Sequence, residues 1–239
     1  MPSFYSKFNE NDIEHEITEP ESHHITRVFR HKIGDLISLI NGKGLLANGQ
    51  ILEIYKKSIK VRLSDFTFTP PIIGKISCAF SLLKNKHDLL IVEKLTELGV
   101  NDLFPLISTN SVKLSKENTL EKMILTSIAA AKQCNNPWLP EINPVLYLAQ
   151  GLDFIKRKNY IPLVASEVER EKKLSFILQN SKFIDKNICI IIGPEGGFTK
   201  EEFALFNENN IEQFSLGKNI LKAETAAICA ISQIIYNIP

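Results

Sequence analysis

No run in this sequence approaches the roughly 18 consecutive apolar residues that a membrane-crossing helix needs. The first residues lack the basic-then-apolar pattern of a secretory signal. Cys78, Cys134, Cys189 and Cys229 are scattered, form no C-x-x-C pair, and each sits in or beside an apolar segment. This argues against a disulfide framework or a zinc ribbon and predicts four small hydrophobes buried in a cytoplasmic protein. His23 and His24 are adjacent and lack a helical metal spacing, so no metal site is expected. Neither G-x-G-x-x-G nor G-x-x-x-x-G-K-[ST] occurs, which disfavours a nicotinamide dehydrogenase or a P-loop enzyme. There is no internal repeat and no low-complexity tract.

Large net charge is missing too, but the value of +1 conceals an asymmetry. Residues 1–21 hold six acidic side chains against Lys7. Residues 22–62 hold eight basic side chains, including Arg27, Arg30 and Lys32, against Asp35 and Glu53. A basic block in a near-neutral chain is either a solvated face or a footprint for nucleic acid phosphates. The same region reads as short strands at 35–40, 45–47, 50–55 and 58–63, with turns at 41–44 and at Asn48-Gly49. That density of turns predicts a small β-barrel over residues 1–70, closed by the stiff Thr69-Pro70-Pro71 break.

From residue 71 to 239 the pattern becomes α/β. Strands are expected at 75–82, 103–107, 161–165, 188–192 and 213–216. Helices are expected at 86–98, burying Leu90, Ile91, Leu95 and Leu98, and at 117–133, with Met123, Ile124 and Ile128 inward. Two more follow at 201–209 and 223–235. Alternating strands and helices imply a mostly parallel sheet covered on both faces.

Two loops carry the chemistry. After the run Ile188 to Ile192 comes Gly193-Pro194-Glu195-Gly196-Gly197-Phe198, and then Thr199 with Glu202 three residues on, a capping box. Such a loop is either a tight turn or a place where backbone N–H groups meet a ligand. The second loop is Leu216-Gly217-Lys218-Asn219-Ile220-Leu221-Lys222-Ala223, opening a helix at Glu224-Thr225-Ala226. Ligands of open α/β sheets bind beyond the carboxyl ends of strands, so the two loops can each supply a pocket wall.

These two motifs, with 24–34, Glu93 to Val100 and Ala129 to Gln133, resemble the ribosomal RNA small subunit methyltransferase E family of the SPOUT superfamily. The resemblance spans nearly the whole chain. It implies a PUA-like N-terminal β-barrel over 1–70 that binds RNA, and a SPOUT α/β domain over 71–239 with a deep trefoil knot. It implies a homodimer that uses S-adenosylmethionine to methylate N3 of a uridine in 16S ribosomal RNA, free or in the small subunit. The implied donor pocket comprises Ile192, Gly193, Pro194, Glu195, Gly196, Gly197, Leu216, Gly217, Ile220, Leu221, Lys222, Glu224, Thr225 and Ala226. Arg27, Arg30, Lys32, Lys132 and Asn136 are the candidate RNA contacts. Uridine N3 must lose a proton before it attacks the methyl group, and Glu195, then Glu224, are the candidates for base or base-orienter. The chain departs from the family pattern at Asn110, Lys132, Asn136, Lys222 and Ala223, and an arginine's bidentate fork has no equivalent in these side chains. The competing readings are a methyltransferase of the same superfamily with another nucleotide target and a catalytically silent RNA-binding homologue.

Overall fold

The computed structural model describes residues 3–71, 75–111, 117–180, 183 and 185–237. The chain forms two compact units, one of Met1–Pro71 with Ile128–Leu139 and one of Ile72–Ser127 with Pro140–Pro239.

The first unit begins with strands β1 (Phe4–Tyr5) and β2 (Glu14–Thr18), a short helix α1 (Glu21–His23) and a π-helical turn (His24–Val28). Strands β3 (Leu36–Ile40), β4 (Leu45–Ile54) and β5 (Ser58–Phe68) follow. They form one sheet in the order β1-β3-β4-β5-β2, antiparallel except where β1 runs alongside β3. Along β5, Ile59, Val61 and Leu63 are buried while Arg62 between them is exposed, the period-two pattern of a half-buried strand. All five strands send side chains to one core, among them Phe4, Ile17, Leu39, Ile51 and Ile59. The turn expected at 41–44 is present, with Asn41 Oδ1 accepting the Lys43 and Leu45 N–H groups. The turn expected at Asn48-Gly49 is absent. There β4 runs on, and the register shifts between Leu46 and Asn48 because Asp65 of β5 takes a left-handed φ of 53° as an extra residue. The Asn48 amide donates to the Asp65 carboxylate at 3.0 Å, so the asparagine serves a bulge.

The second unit begins with β6 (Ile76–Ser81), α2 (His87–Glu97), β7 (Asp102–Ile107) and α3 (Thr119–Cys134). The end of α2 is a Schellman motif: the Val100 N–H donates to the Leu95 carbonyl and the Gly99 N–H to that of Thr96. On α3 the buried stripe is Met123, Ser127, Ala130 and Ala131, whereas Ile124, expected inward, is exposed. Ile124 lies one position, about 100°, around the helix from Met123, off the stripe that the small residues define. The second half of α3 belongs to the first unit, where the Ser3 N–H donates to the Lys132 carbonyl and the Trp138 indole N–H to that of Thr69, each at 3.0 Å.

The chain continues through β8 (Glu141–Ile142), β9 (Leu146–Tyr147), α4 (Leu148–Arg157), β10 (Ile161–Ala165), α5 (Leu174–Leu178), β11 (Ile188–Ile192), α6 (Lys200–Glu208), β12 (Glu212–Phe214) and α7 (Ala223–Asn237). The order β12-β10-β11-β6-β7-β8, with β9 also on β7, is parallel throughout. Every residue of β6 and β11 is buried, as a sheet covered on both faces requires. Ile188, Ile190 and Ile192 meet α2 and α7 on one face; Cys189 and Ile191 meet α4 and α6 on the other. Burial pushes the Cys189 thiol up to about 12 and raises Cys78 as well. Cys229 is half-buried, and Cys134, at the end of α3, is exposed, contrary to the expectation of burial.

At the amino end of β7, Asp102 is buried in a polar network. Its carboxylate accepts from the Lys158 ammonium at 2.6 Å, the Asn143 amide at 3.2 Å and the Tyr160 hydroxyl. Burial alone would raise the Asp102 pKa, but Lys158, Tyr160 and Asn143 outweigh it and hold it below 3.8. The carboxylate's stabilising share is therefore complete above its unfolded value and is lost as pH falls through the lower folded value. Asp102→Asn is expected to cost about 3 kcal/mol near neutral pH, because the negative charge that pairs with Lys158 is lost and one of the two accepting oxygens becomes an amide NH2. The variant's urea midpoint should also fall less than that of the wild type below pH 4, measured by denaturation across pH.

Candidate functional site

Parallel strands deliver their following loops to one end of the sheet. From β6 the chain moves to β7 on one side, while β11 lies on the other, so β6 is where the winding reverses. The loops after β6, β10, β11 and β12 enclose a cleft of about 740 Å³, within the range of small-molecule sites. Its lining includes Lys84 and His87 after β6, Ala165 to Glu167 after β10, Ile192 to Gly197 after β11, and Leu216, Gly217 and 219–224 after β12.

The Gly-rich loop is tightly constrained. The Gly197 N–H donates to the Pro194 carbonyl at 2.9 Å, with Gly197 at a φ of 70°. A β-carbon on Gly197 would stand 2.2 Å from Glu167 Oε1, and one on Gly193 would press on the Phe198 ring at 3.0 Å. At Gly197 the left-handed φ favours glycine, and at Gly193 a β-carbon would require the Phe198 ring to give by a few tenths of an ångström. Beneath the loop, Phe198 packs edge-on against Phe203 and Phe206, which fixes it to α6.

Three side chains tie neighbouring loops to this one. Glu195 is exposed, and its Oε1 accepts the main-chain N–H of Lys84 at 3.0 Å. Asn110, after β7, donates its amide to the Gly196 and Gly197 carbonyls at 3.2 and 3.0 Å. Buried Glu202 completes the capping box with Thr199 and also accepts the Thr109 N–H at 2.8 Å and hydroxyl at 3.1 Å. One carboxylate thus starts α6 and anchors the loop after β7.

In the other loop, the Ser215 hydroxyl donates to the Gly217 carbonyl at 3.1 Å, and the Ala226 N–H donates to the Lys222 carbonyl at 2.8 Å to open α7. Glu224, largely buried, meets His87 Nδ1 at 2.9 Å. Burial would raise its pKa, but its own N–H, His87 and Lys222 together lower it, so the carboxylate is ionised at neutral pH.

The cleft therefore collects every residue expected in a donor pocket except Thr225, which is exposed on the first turn of α7. Sequence reasoning missed His87, the wall after β10 and the loop ties of Asn110 and Glu202. The wall was findable, because the carboxyl-end rule applies equally to the strand at 161–165.

The candidate RNA contacts all belong to the first unit. Arg27, Arg30 and Lys32 are exposed along 27–32. Lys132 is paired with Glu21 at 2.5 Å, and Asn136 Oδ1 accepts the Trp138 N–H at 3.0 Å. Those two side chains therefore have structural partners within the unit. Among the described residues, no group of three or more His, Cys, Asp or Glu is placed to hold a metal ion.

A family model for an RNA methyltransferase domain matches residues 70–235, and one for an RNA methyltransferase PUA domain matches residues 17–64. Fold and site thus define a methyltransferase of the RNA-modifying class with an attached PUA domain. The ribosomal RNA small subunit methyltransferase E of Rickettsia conorii is 33% identical over 213 residues, covering 89% of this chain and 85% of that protein. A crystal structure of the methyltransferase of that name from Neisseria gonorrhoeae, bound to S-adenosyl methionine, is 25% identical with a TM-score of 0.85 over 98% of this chain and 96% of that one. A putative methyltransferase from Legionella pneumophila, in complex with the bound cofactor SAM, is 26% identical with a TM-score of 0.85 over 97% and 96%. The chain belongs to the ribosomal RNA small subunit methyltransferase E family.

Glu202→Ala removes the helix cap and the Thr109 anchor together. It is expected to cost about 2–3 kcal/mol, read from the urea midpoint, whereas exposed Glu201→Ala on the same turn should move the midpoint far less.

Proposed function

We propose that this chain uses S-adenosylmethionine to methylate N3 of a specific uridine in 16S ribosomal RNA, free or assembled in the small subunit. The observation that carries this reading is the cleft of about 740 Å³ between the loops that follow β11 and β12, in a chain of this family. The residues fit the cofactor chemically. Gly193 and Gly197 keep the backbone bare for close approach, while Ile192, Leu216, Leu221 and Ala226 offer an apolar slot suited to an adenine. Pro194, Gly196, Gly217, Ile220 and Lys222 complete that lining, and Thr225 has a supporting place in α7. Glu167 and Glu195 supply negative charge favourable to a sulfonium. The cofactor, when bound, supplies an electrophilic methyl group; the protein's task is to orient the uridine, exclude water and take up the N3 proton.

Of the two carboxylates considered for that proton, Glu195 holds the loop after β6 through Lys84, and Glu224 is engaged with His87. We assign Arg27, Arg30 and Lys32 to phosphate contacts on a PUA-like barrel of residues 1–70, with Lys132 and Asn136 supporting the same unit. The active form in this reading is a cytoplasmic homodimer of trefoil-knotted α/β domains at 71–239, working without a metal. Ile220, 75% exposed on the cleft wall, supports a second copy as its cover.

Nucleosides from small subunits of a strain lacking this protein are expected to lose one 3-methyluridine by mass spectrometry, restored by the wild-type chain. Unaltered small-subunit RNA with a missing methyl group in transfer RNA would favour the other nucleotide target. Calorimetry should show S-adenosylmethionine binding, which a silent homologue need not retain. Arg27→Ala with Arg30→Ala is expected to weaken RNA binding and reduce the slope of log K against log salt by about 1–2.

A further inference from the structure

His87 was found by neither composition nor motif, and the methyl-transfer reading leaves its position unexplained. It is the first residue of α2, lines the cleft, and has a side chain about one-third exposed (35%). Its Nδ1 lies 2.9 Å from Glu224 Oε1, a side chain only 11% exposed at the start of α7. The two residues are thus brought together from opposite ends of the second unit's sequence. α2 and α7 pack on the same face of the sheet, which keeps the pair rigid. An ionised carboxylate only accepts hydrogen bonds, so the contact puts the proton on Nδ1. In the neutral ring the basic lone pair is then on Nε2.

We propose that His87 is the general base that takes the uridine N3 proton, with Glu224 as the positioning residue that fixes its tautomer and orientation. This rests on the methyl-transfer reading of the cleft. The N3–H proton passes to His87 Nε2, and the N3 electron pair forms the new N3–CH3 bond. The CH3–S bond breaks with its electron pair left on sulfur, giving S-adenosylhomocysteine. The imidazolium returns its proton to solvent. Carboxylate, imidazole and reacting proton in series are the arrangement by which enzymes orient a histidine base.

Glu195, the other carboxylate considered, is the weaker candidate because one oxygen already accepts the Lys84 N–H. The other charged side chains lining the cleft are Lys84, Glu167, Glu169, Arg170 and Lys222. On α2 itself the neighbours are exposed Lys86 and buried Asp88. The test therefore compares the pH profiles of wild type and variants, in which these shared neighbours are the same.

Single-turnover methylation of small-subunit RNA is measured for the wild type, His87→Ala, His87→Gln and Glu224→Gln, with cofactor affinity by calorimetry on the same samples. Both His87 variants are expected to lose about 100-fold or more in rate at pH 7 with cofactor Kd within about twofold. Their rate should rise with pH toward the wild-type value as N3 ionises unaided. Added imidazole should restore part of the rate to His87→Ala and none to His87→Gln. Nitrogen NMR should show the Nδ1–H tautomer in the wild type and a mixture in Glu224→Gln, a change that lost packing alone does not produce. A His87→Ala rate and pH profile equal to the wild type overturns the assignment while leaving the methyl-transfer reading intact. So does a loss accounted for entirely by weaker cofactor binding. A wild-type chain that binds no cofactor and forms no methyluridine overturns the methyl-transfer reading itself, and the base falls with it.

Discussion

The parallel pairing of β6 with β11 is the constraint on which the second unit depends. Ile76 to Phe80 lie beside Ile188 to Ile192, joining segments separated by most of the unit's sequence. A parallel ladder cannot be closed by a tight turn, so each connection must cross over the sheet. Those crossovers supply α2 on one face and α4 and α6 on the other; α7, which follows the last strand, packs beside α2, and both strands are completely buried. The same geometry sends the loops after β6, β10, β11 and β12 to one end. The cleft is thus a by-product of strand direction before it is a matter of any particular side chain.

Side chains then convert adjacent loops into a fixed wall. Glu195 joins the Gly-rich segment to the loop after β6, and Asn110 and Glu202 join that segment and the helix it leads into to the loop after β7. Each of the three side chains bonds at least one main-chain group, so together they set backbone positions directly. The short Asn110 amide fits against the Gly196 and Gly197 carbonyls. Asn110 thereby holds the loop after β7 to the Gly-rich segment.

The parts legible in the sequence were those written in local residue chemistry. The apolar runs of β6, β10 and β11, the capping box at Thr199 and the glycine loop each announce themselves within a few residues. α4 was missed because Gly151 interrupts a short amphipathic helix with a residue that usually signals a loop. The Asn48-Gly49 pair was misread because a bulge on the facing strand, at Asp65, gives that dipeptide a different task. Ile124 was placed inward on apolarity alone, whereas the small residues Ser127, Ala130 and Ala131 define the buried stripe. His87 and Glu224 are 137 positions apart, and nothing local to either announces the other. Such pairs become visible only when the topology folds two helices onto one face.

The Asp102 network sits at the amino end of β7, with Tyr160 just before β10, whereas the cleft opens at the carboxyl ends of the strands. The sheet therefore has a bearing end and a working end, separated by the length of its own strands. Loops at the working end can change in length or chemistry without disturbing the buried charges that hold the strand starts together. A fold divided in this way can drift in specificity while its foundation stays under a separate selection.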